Sequence, residues 1–124
     1  MNHFTSMEQS KKLSELGLKS DSADLMYFLL KRENLLYSKC PVYIPVGRNL
    51  KETKDIPCWS IGVLLKLIPN YSLRKMGDRL LINFYSAPRI TPTPTHVIDD
   101  CVDELDAVYQ MVCWLLQNNY IKTK

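Results

Sequence analysis

The sequence predicts an α+β fold in which a small antiparallel sheet packs against helices. Three observations predict it: a hairpin pattern at residues 71–85, a proline-bounded apolar segment at 57–69, and a long apolar stripe at about 100–118. The chain has 124 residues, of which 46% are hydrophobic and 23% are charged. A chain of this length can bury a core without disulfides or bound metal. We therefore expect a single domain, residues 1–124.

Residues 71–85 predict a β-hairpin. Gly77 and Asp78 suit a two-residue turn that needs a positive φ at its first position. The resulting register pairs Met76 with Arg79, Lys75 with Leu80, Leu73 with Ile82, and Tyr71 with Phe84. One face of this hairpin is apolar except near its tip, and the other is mainly polar. Because register and pattern agree, we expect one face to be buried.

The segment "PCWSIGVLLKLIPN", residues 57–70, predicts a buried central helix at about 60–68. Ser60 is a suitable N-cap, and Pro69 excludes helical geometry for the residue before it. The apolar residues follow a helical period on one face and continue on a second face: Ile61, Leu64, Leu65 and Ile68, then Val63 and Leu67. A helix that is apolar almost all round is expected to be buried.

A long C-terminal helix is predicted at about 100–118. Its core stripe comprises Cys101, Leu105, Val108, Val112 and Leu115. Carboxylates crowd its first turn, where the helix dipole favours negative charge: Asp99, Asp100, Asp103 and Glu104. The pair at 118–119 can supply the left-handed residue that ends the helix.

An N-terminal surface helix is predicted at about 5–17. Thr5 and Glu8 match a capping box, in which each side chain accepts a hydrogen bond from the other residue's backbone N–H. Gly17 suits the left-handed residue after the helix. The apolar stripe is thin, consisting of Leu13 and Leu16, so most of this helix should face solvent.

The segments between the helices are harder to assign. Ser20 or Asp21 can cap a short helix, while residues 26–30 fit either helix or strand, and we favour strand. Residues 32–38 allow a hairpin to follow. Pro41 and Pro45 limit 42–46 to an edge strand or an extended connection. Residues 47–56 are predicted to be a polar loop, and 86–98 a proline-rich loop without regular structure.

The predicted core draws on the central helix, the hairpin and the C-terminal helix. Its two tryptophans are expected in the core or at its rim. The predicted core residues are Trp59, Leu64, Leu65, Ile68, Leu73, Ile82, Phe84, Leu105, Val108, Val112, Trp114 and Leu115.

The tripeptide Cys58-Trp59-Ser60 could in principle hold a nucleophile at a helix N-terminus. A nucleophile needs a base, and nothing in the sequence ties His3 or His96 to Cys58. We interpret the tripeptide as packing followed by a helix cap. The glycines are isolated and no Gly-rich phosphate loop occurs, so neither a catalytic residue nor a cofactor is predicted.

The acidic cluster at 99–106 allows a second interpretation. Asp99, Asp103 and Asp106 would share one face of the predicted helix and could bind a divalent cation. Carboxylates at a helix start are also expected from the dipole alone, and we favour that interpretation. No metal site is predicted.

The cysteines predict reduced thiols. Cys40, Cys58, Cys101 and Cys113 are far apart, and the N-terminus has no apolar run after a basic start. We therefore expect a cytoplasmic protein without a membrane segment, in which the thiols mostly pack as small hydrophobic groups.

The polar face of the hairpin is the candidate binding surface. It carries Arg74, Arg79 and Tyr85, with Lys75 at the tip and Arg89 nearby. Basic and aromatic residues interleaved on a sheet can hold single-stranded nucleic acid. The same pattern is typical of a protein-contact surface or a solvated face. The net charge of +3 is too small to favour nucleic acid by itself.

Three segments occur in the order "SMEQSKKLSELGLKSDSADLMY", "IPCWSIGVLLKLIP" and "DAVYQMVCWLLQNNYI". Together they resemble a family of small uncharacterised proteins encoded by gut Bacteroides, often in prophages and mobile elements. The likeness covers about half the chain. Cys58 stands where the family usually has alanine, and Asn119 where glycine is common. The resemblance implies a phage or mobile-element origin and a short second helix followed by a strand, and it implies no activity.

We therefore expect a non-enzymatic interaction protein. Its partner would be a protein that binds the exposed hairpin face or the proline-rich loop. The alternative is a nucleic-acid accessory protein that uses Arg74, Arg79 and Tyr85.

Overall fold

The computed structural model describes residues 3–31, 33–50, 53–86 and 93–121. It has an α+β fold, which confirms the predicted class. The helices are α1 (Met7–Glu15), α2 (Ile61–Leu67) and α3 (Glu104–Gln117), and the strands are β1 (Leu25–Tyr27), β2 (Leu29–Lys31), β3 (Leu36–Tyr37), β4 (Val42–Tyr43), β5 (Ile56–Cys58), β6 (Tyr71–Met76), β7 (Arg79–Phe84) and β8 (His96–Cys101). None of the helices within these ranges has the length and apolarity needed to cross a membrane.

The strands of the described residues form three antiparallel sheets. Their strand orders are β4-β1-β5, β2-β3 and β6-β7-β8. The third sheet packs against α3, which in turn packs against α2. The N-terminal residues join this arrangement through the backbone of Thr5, whose N–H donates to the carbonyl of Trp59 at 2.9 Å.

The β6–β7 hairpin has the predicted register. All four predicted pairs are present, from Met76 with Arg79 at the tip to Tyr71 with Phe84 at the base. Gly77 has φ = +65°, the left-handed value that the two-residue turn requires. Ile82 and Phe84 are buried on one face, as the alternating pattern predicts.

Helix α1 begins one residue later than a Thr5 cap would place it. Ser6 is the N-cap and forms the capping box with Gln9, so the predicted box of Thr5 and Glu8 is wrong. At the other end Gly17 adopts φ = +98°, as predicted, and the N–H of Leu18 donates to the carbonyl of Leu13. This bond satisfies a carbonyl that the end of the helix would otherwise leave unpaired.

Helix α2 has the predicted ends but is less buried than predicted. Ser60 accepts a hydrogen bond from the N–H of Val63 at 3.4 Å and caps the helix. Leu64 is fully buried, whereas Gly62 and Lys66 are exposed and the other helical residues are half-buried. The helix is therefore buried on one face only, which packs against α3, while Gly62 and Lys66 face solvent.

The C-terminal helix begins at Glu104 rather than at residue 100. The preceding residues form β8, which pairs with β7 and was predicted partly as loop and partly as helix. Ile98 and Cys101 of this strand are buried in the core. At its C-terminal end Asn119 has φ = +64°, as predicted. Burial of Ile98 and Cys101 beside β7 therefore favours a strand, although the run of aspartates alone is typical of the start of a helix.

The region between α1 and β5 is built from short strands. Ser20–Ser22 forms a single 3₁₀ turn, and the favoured strand assignment at 26–30 is confirmed by β1 and β2. β2 and β3 form a small hairpin. β4 is an edge strand, which is one of the two structures that Pro41 and Pro45 allow for this segment.

Most of the predicted core residues are buried in the main hydrophobic cluster. Trp59, Leu64, Ile82, Val108, Val112 and Leu115 have no exposed surface, and Ile68, Phe84 and Leu105 have almost none. Leu65, Leu73 and Trp114 are half-buried and pack against this cluster. A second, smaller cluster consists of Leu25, Tyr27, Ile56 and Cys58.

Asp55 attaches the loop before β5 to the rest of the chain. Its carboxylate accepts a hydrogen bond from the N–H of Leu29 at 2.9 Å and forms an ion pair with Arg48. Burial raises the pKa of Asp55, but these contacts outweigh burial and hold the pKa below its ordinary value of 3.8. The folded protein therefore favours the ionised carboxylate more than the unfolded chain does.

We expect the carboxylate of Asp55 to make the free energy of unfolding depend on pH in the acidic range. A lowered pKa adds stability that is present above pH 3.8 and is lost as the pH falls through the folded-state pKa. Asp55→Asn should therefore flatten the fall of the free energy of unfolding below pH 3.8, measured by urea denaturation at a series of pH values. Asp21→Asn, at an exposed side chain, is the control. Identical pH slopes for wild type and Asp55→Asn would contradict the assignment.

Candidate interaction surface on the third sheet

The Cys58-Trp59-Ser60 corner is a buried junction. The thiol of Cys58 donates to the carbonyl of Thr5 at 3.3 Å, and the hydroxyl of Thr5 accepts from the N–H of Trp59 at 3.1 Å. Burial raises the pKa of Cys58, so the thiol is held in its protonated, weakly nucleophilic form. Among the described residues, the thiol of Cys58 has hydrogen-bond partners that include Thr5, and none of them is a histidine.

The polar groups around this corner are also used by the fold. Both carboxylate oxygens of Asp24 accept from Ser60, one from its N–H at 3.0 Å and the other from its hydroxyl at 2.6 Å. The indole N–H of Trp59 donates to the hydroxyl of Ser22 at 3.0 Å. This arrangement matches the interpretation of the tripeptide as packing followed by a helix cap.

The two histidines lie elsewhere. His96 stacks on the indole of Trp114, with ring centroids 4.1 Å apart and planes 6° from parallel. Tyr120 also stacks on Trp114, at 5.7 Å. His3 is exposed, and its carbonyl accepts from the N–H of Ile61. His96 therefore belongs to an aromatic cluster at the end of α3.

The acidic residues at 99–106 do not share a helix face, so that prediction is wrong. Asp99 and Asp100 lie on β8, Asp103 is at the N-cap position of α3 without a side-chain capping bond, and Asp106 accepts from the side chain of Gln110. Within the described ranges, no group of three or more His, Cys, Asp or Glu could hold a metal ion.

The cysteines of the described ranges are free thiols. Cys58 and Cys101 are buried, whereas Cys113 is half-buried and Cys40 is exposed. Burial and the carboxylates of Asp106 and Asp100 raise the pKa of Cys101 to about 12. Packing as a small hydrophobic group therefore describes the buried thiols but not Cys40.

The basic residues of the candidate surface gather at the tip of the β6–β7 hairpin. Arg74 pairs with Leu81 and Arg79 pairs with Met76, so the two arginines are diagonal neighbours on the outer face of the sheet. Lys75 pairs with Leu80 and lies on the opposite face. All three basic side chains are exposed.

Tyr85 lies at the other end of the hairpin. It follows β7, and its hydroxyl is 3.5 Å from that of Ser72, which also accepts from the amide of Asn83 at 3.2 Å. Tyr85 lies four positions after Leu81, the partner of Arg74, which is a distance of about 13 Å along the strand. Arg89, the remaining residue of the predicted surface, lies outside the described residues. The aromatic group is therefore not interleaved with Arg74 and Arg79.

β8 adds negative charge beside these basic residues. The pairing of β7 with β8 shifts register between Leu80 and Ile82, which places Asp99 and Asp100 opposite Leu81. Both aspartates are exposed. The outer face of the third sheet therefore carries arginines on β6 and β7 and is bordered by carboxylates on β8.

A group of exposed apolar residues between positions 30 and 46 was not predicted from the sequence. Its members are Leu30, Leu35, Leu36, Val42, Tyr43 and Val46. The prolines of this segment could have indicated the exposure, because very short strands bounded by prolines cannot bury every apolar side chain they carry. Exposed apolar groups of this kind often mark contact surfaces.

Comparison of the chain with protein families, curated proteins and solved structures found no match in any of the three. The charges and exposed residues of this surface are therefore the basis for a functional proposal.

Proposed function

We propose that this chain is a non-enzymatic interaction protein that binds a protein partner through the outer face of the third sheet. The observation that carries the proposal is the mixed charge of that face. Arg74 and Arg79 are exposed at the hairpin tip, and Asp99 and Asp100 are exposed on β8 of the same sheet. Complementary patches of both signs are a common means by which proteins orient and select a protein partner.

The same charges disfavour a nucleic acid. Carboxylates on a binding face repel phosphates, whereas a surface that binds nucleic acid needs continuous positive charge. Stacking platforms also need aromatic rings within reach of the backbone contacts, and Tyr85 lies about 13 Å from the level of Arg74 along the strand. A protein surface with its own mixture of charges fits this face better.

We further propose a phage or mobile-element origin and a cytoplasmic location. The resemblance of the three sequence segments to proteins of Bacteroides prophages supports the origin. The free thiols of the described cysteines fit a reducing compartment. A host protein is the kind of partner that such an origin favours.

The proposal is tested by affinity capture from host lysate, followed by mass spectrometry. We expect Arg74→Glu/Arg79→Glu to lose at least 90% of the captured partner, because repulsion replaces attraction at the interface, as like charges brought together cost roughly several kcal/mol. The matched control is Lys19→Glu/Lys54→Glu, which changes the net charge equally at exposed positions away from the sheet. Equal capture by the wild type and both variants would contradict the proposed surface.

A nucleic-acid accessory role is the second candidate, favoured by the exposed cluster of Arg74, Lys75 and Arg79. It predicts binding of a single-stranded oligonucleotide that weakens steeply between low and high salt. A fluorescence titration at two salt concentrations distinguishes the candidates. No binding at low salt would rule this role out.

A further inference from the structure

β6 is a long and regular edge strand. It runs for six residues, pairs with β7 without a register shift and contains no proline. In the described part of the chain, no strand lies on its other side. A strand in this position presents unpaired backbone groups that can accept another strand.

The hairpin register identifies which backbone groups point away from β7. A two-residue turn closes on a hydrogen-bonded pair, here Met76 with Arg79, and such pairs alternate along an antiparallel ladder. The N–H of Tyr85 donates to the carbonyl of Asn70 at 2.9 Å, which fits this alternation at the base. The N–H and C=O groups of the intervening residues therefore point outward: Tyr71, Leu73 and Lys75.

The edges β4, β5 and β8 of the two three-stranded sheets are less suited to pairing. β4 has two residues and lies between Pro41 and Pro45, and β5 contains Pro57. The pairing of β8 is interrupted where Asp99 and Asp100 lie. Prolines and bulges are features that prevent pairing at sheet edges. β6 has neither.

The side chains of β6 indicate what kind of strand could pair there. Arg74 and Lys75 are exposed and positive, so a second copy of β6 would bring like charges together, whereas an acidic strand would not. On the core side, Tyr71 is 39% exposed and Leu73 is half-buried. Because side chains alternate between faces, a matching strand would be acidic on one face and apolar on the other.

We infer that the free edge of β6 takes up an extended, acidic segment of a protein partner as a fourth strand of the third sheet. The inference rests on the proposed protein-binding function and specifies its partner. The backbone of the segment pairs with Tyr71, Leu73 and Lys75. Its acidic side chains lie beside Arg74, and its apolar side chains cover Tyr71 and Leu73. Strand addition of this kind is a recurring mode of peptide recognition.

The direct test uses a labelled peptide in which Glu and Val alternate over six residues, measured by fluorescence anisotropy. We expect it to bind at least tenfold more tightly than the same peptide with Lys in place of Glu. Equal binding of the two peptides, or binding of neither, would overturn the inference. Displacement of the acidic peptide by single-stranded oligothymidine would overturn it in favour of a nucleic-acid site.

Two variants of Lys75 distinguish the contribution of its backbone N–H to binding from the contribution of its charge. Lys75→Pro removes an outward N–H that β7 does not use, whereas Lys75→Ala removes the same charge and keeps the N–H. We expect Lys75→Pro to bind the acidic peptide at least tenfold more weakly than Lys75→Ala. Similar affinities of the two variants, with both folded by circular dichroism, would overturn strand addition.

Amide hydrogen exchange of the wild type provides a measurement that needs no variant. The acidic peptide should slow exchange at Tyr71, Leu73 and Lys75, and leave Arg74 and Met76, already paired with β7, unchanged. Slower exchange at amides other than these three would overturn the inference. If lysate capture is lost in Arg74→Glu/Arg79→Glu but retained in Lys75→Pro, the proposed function holds and the edge-strand inference fails.

Discussion

Replacing Trp59 with alanine is expected to lower the free energy of unfolding by about 3–5 kcal/mol. Trp59 is the largest of the fully buried side chains, and it lies between the strand β5 and the N-cap of α2. Truncation leaves a cavity that the surrounding core fills only in part. It also removes the indole donor of Ser22. A domain of this size has a total stability of about 5–15 kcal/mol, so the variant should be marginally stable.

Urea denaturation followed by circular dichroism measures this effect. Trp114→Ala is the matched comparison, because it removes the same atoms from a half-buried position. Trp114→Ala should also destabilise the protein, but by less, since part of its ring is already in contact with water. A loss for Trp59→Ala equal to or smaller than that for Trp114→Ala would show that Trp59 is not the anchor of this core.

The parts of the fold that the sequence predicted correctly are those specified by neighbouring residues. In the β6–β7 hairpin, Gly77 dictates the turn, and the turn dictates every pair up to Tyr71 with Phe84. The ends of α2 follow from Ser60 and Pro69 in the same way. In these segments local geometry and burial favour the same structure, so a sequence pattern is sufficient.

β8 was missed because its structure depends on a distant strand. Aspartate is disfavoured in strands, and the alternation of the segment is broken where Asp99 and Asp100 follow each other. A run of carboxylates before an apolar stripe is a typical helix start. The edge of β7 can pair with this segment, and the pairing buries Ile98 and Cys101 in the core. This burial favours a strand over a helix.

The candidate surface was predicted only in part for the same reason. The sequence identified the exposed cations at the tip, including Arg74 and Arg79. It did not identify the aspartates opposite Leu81, because they were assigned to a helix. The mixed charge of the face, on which the proposed function depends, follows from the pairing of β7 with β8.

The N-terminal cap illustrates how tertiary contacts choose between two local solutions. The sequence "TSMEQ" contains two capping boxes one residue apart, Thr5 with Glu8 and Ser6 with Gln9. Local geometry does not distinguish them. The N–H of Thr5 donates to the carbonyl of Trp59, and this contact places the side chain of Thr5 in the core. Ser6 is therefore the residue that caps α1.

Thr5→Val is therefore expected to lower the free energy of unfolding by about 1–3 kcal/mol, although valine has nearly the same shape. The hydroxyl of Thr5 accepts from the N–H of Trp59 at 3.1 Å and lies 2.7 Å from the hydroxyl of Ser10. Thr5 and Ser10 have no exposed surface, so water cannot replace the lost bonds. A buried N–H without a partner is the main cause of the loss.

Thr5→Ser is the matched control, because it keeps the hydroxyl and removes one methyl group, which costs about 0.8 kcal/mol. Thr5→Val/Ser10→Ala should be less destabilising than the sum of the two single variants, since the second change removes a hydroxyl that the first has left unpaired. Urea denaturation of the four proteins together with wild type provides the comparison. If Thr5→Val costs no more than Thr5→Ser, the hydroxyl does not hold α1 to β5, and packing of the methyl group alone accounts for the burial of Thr5.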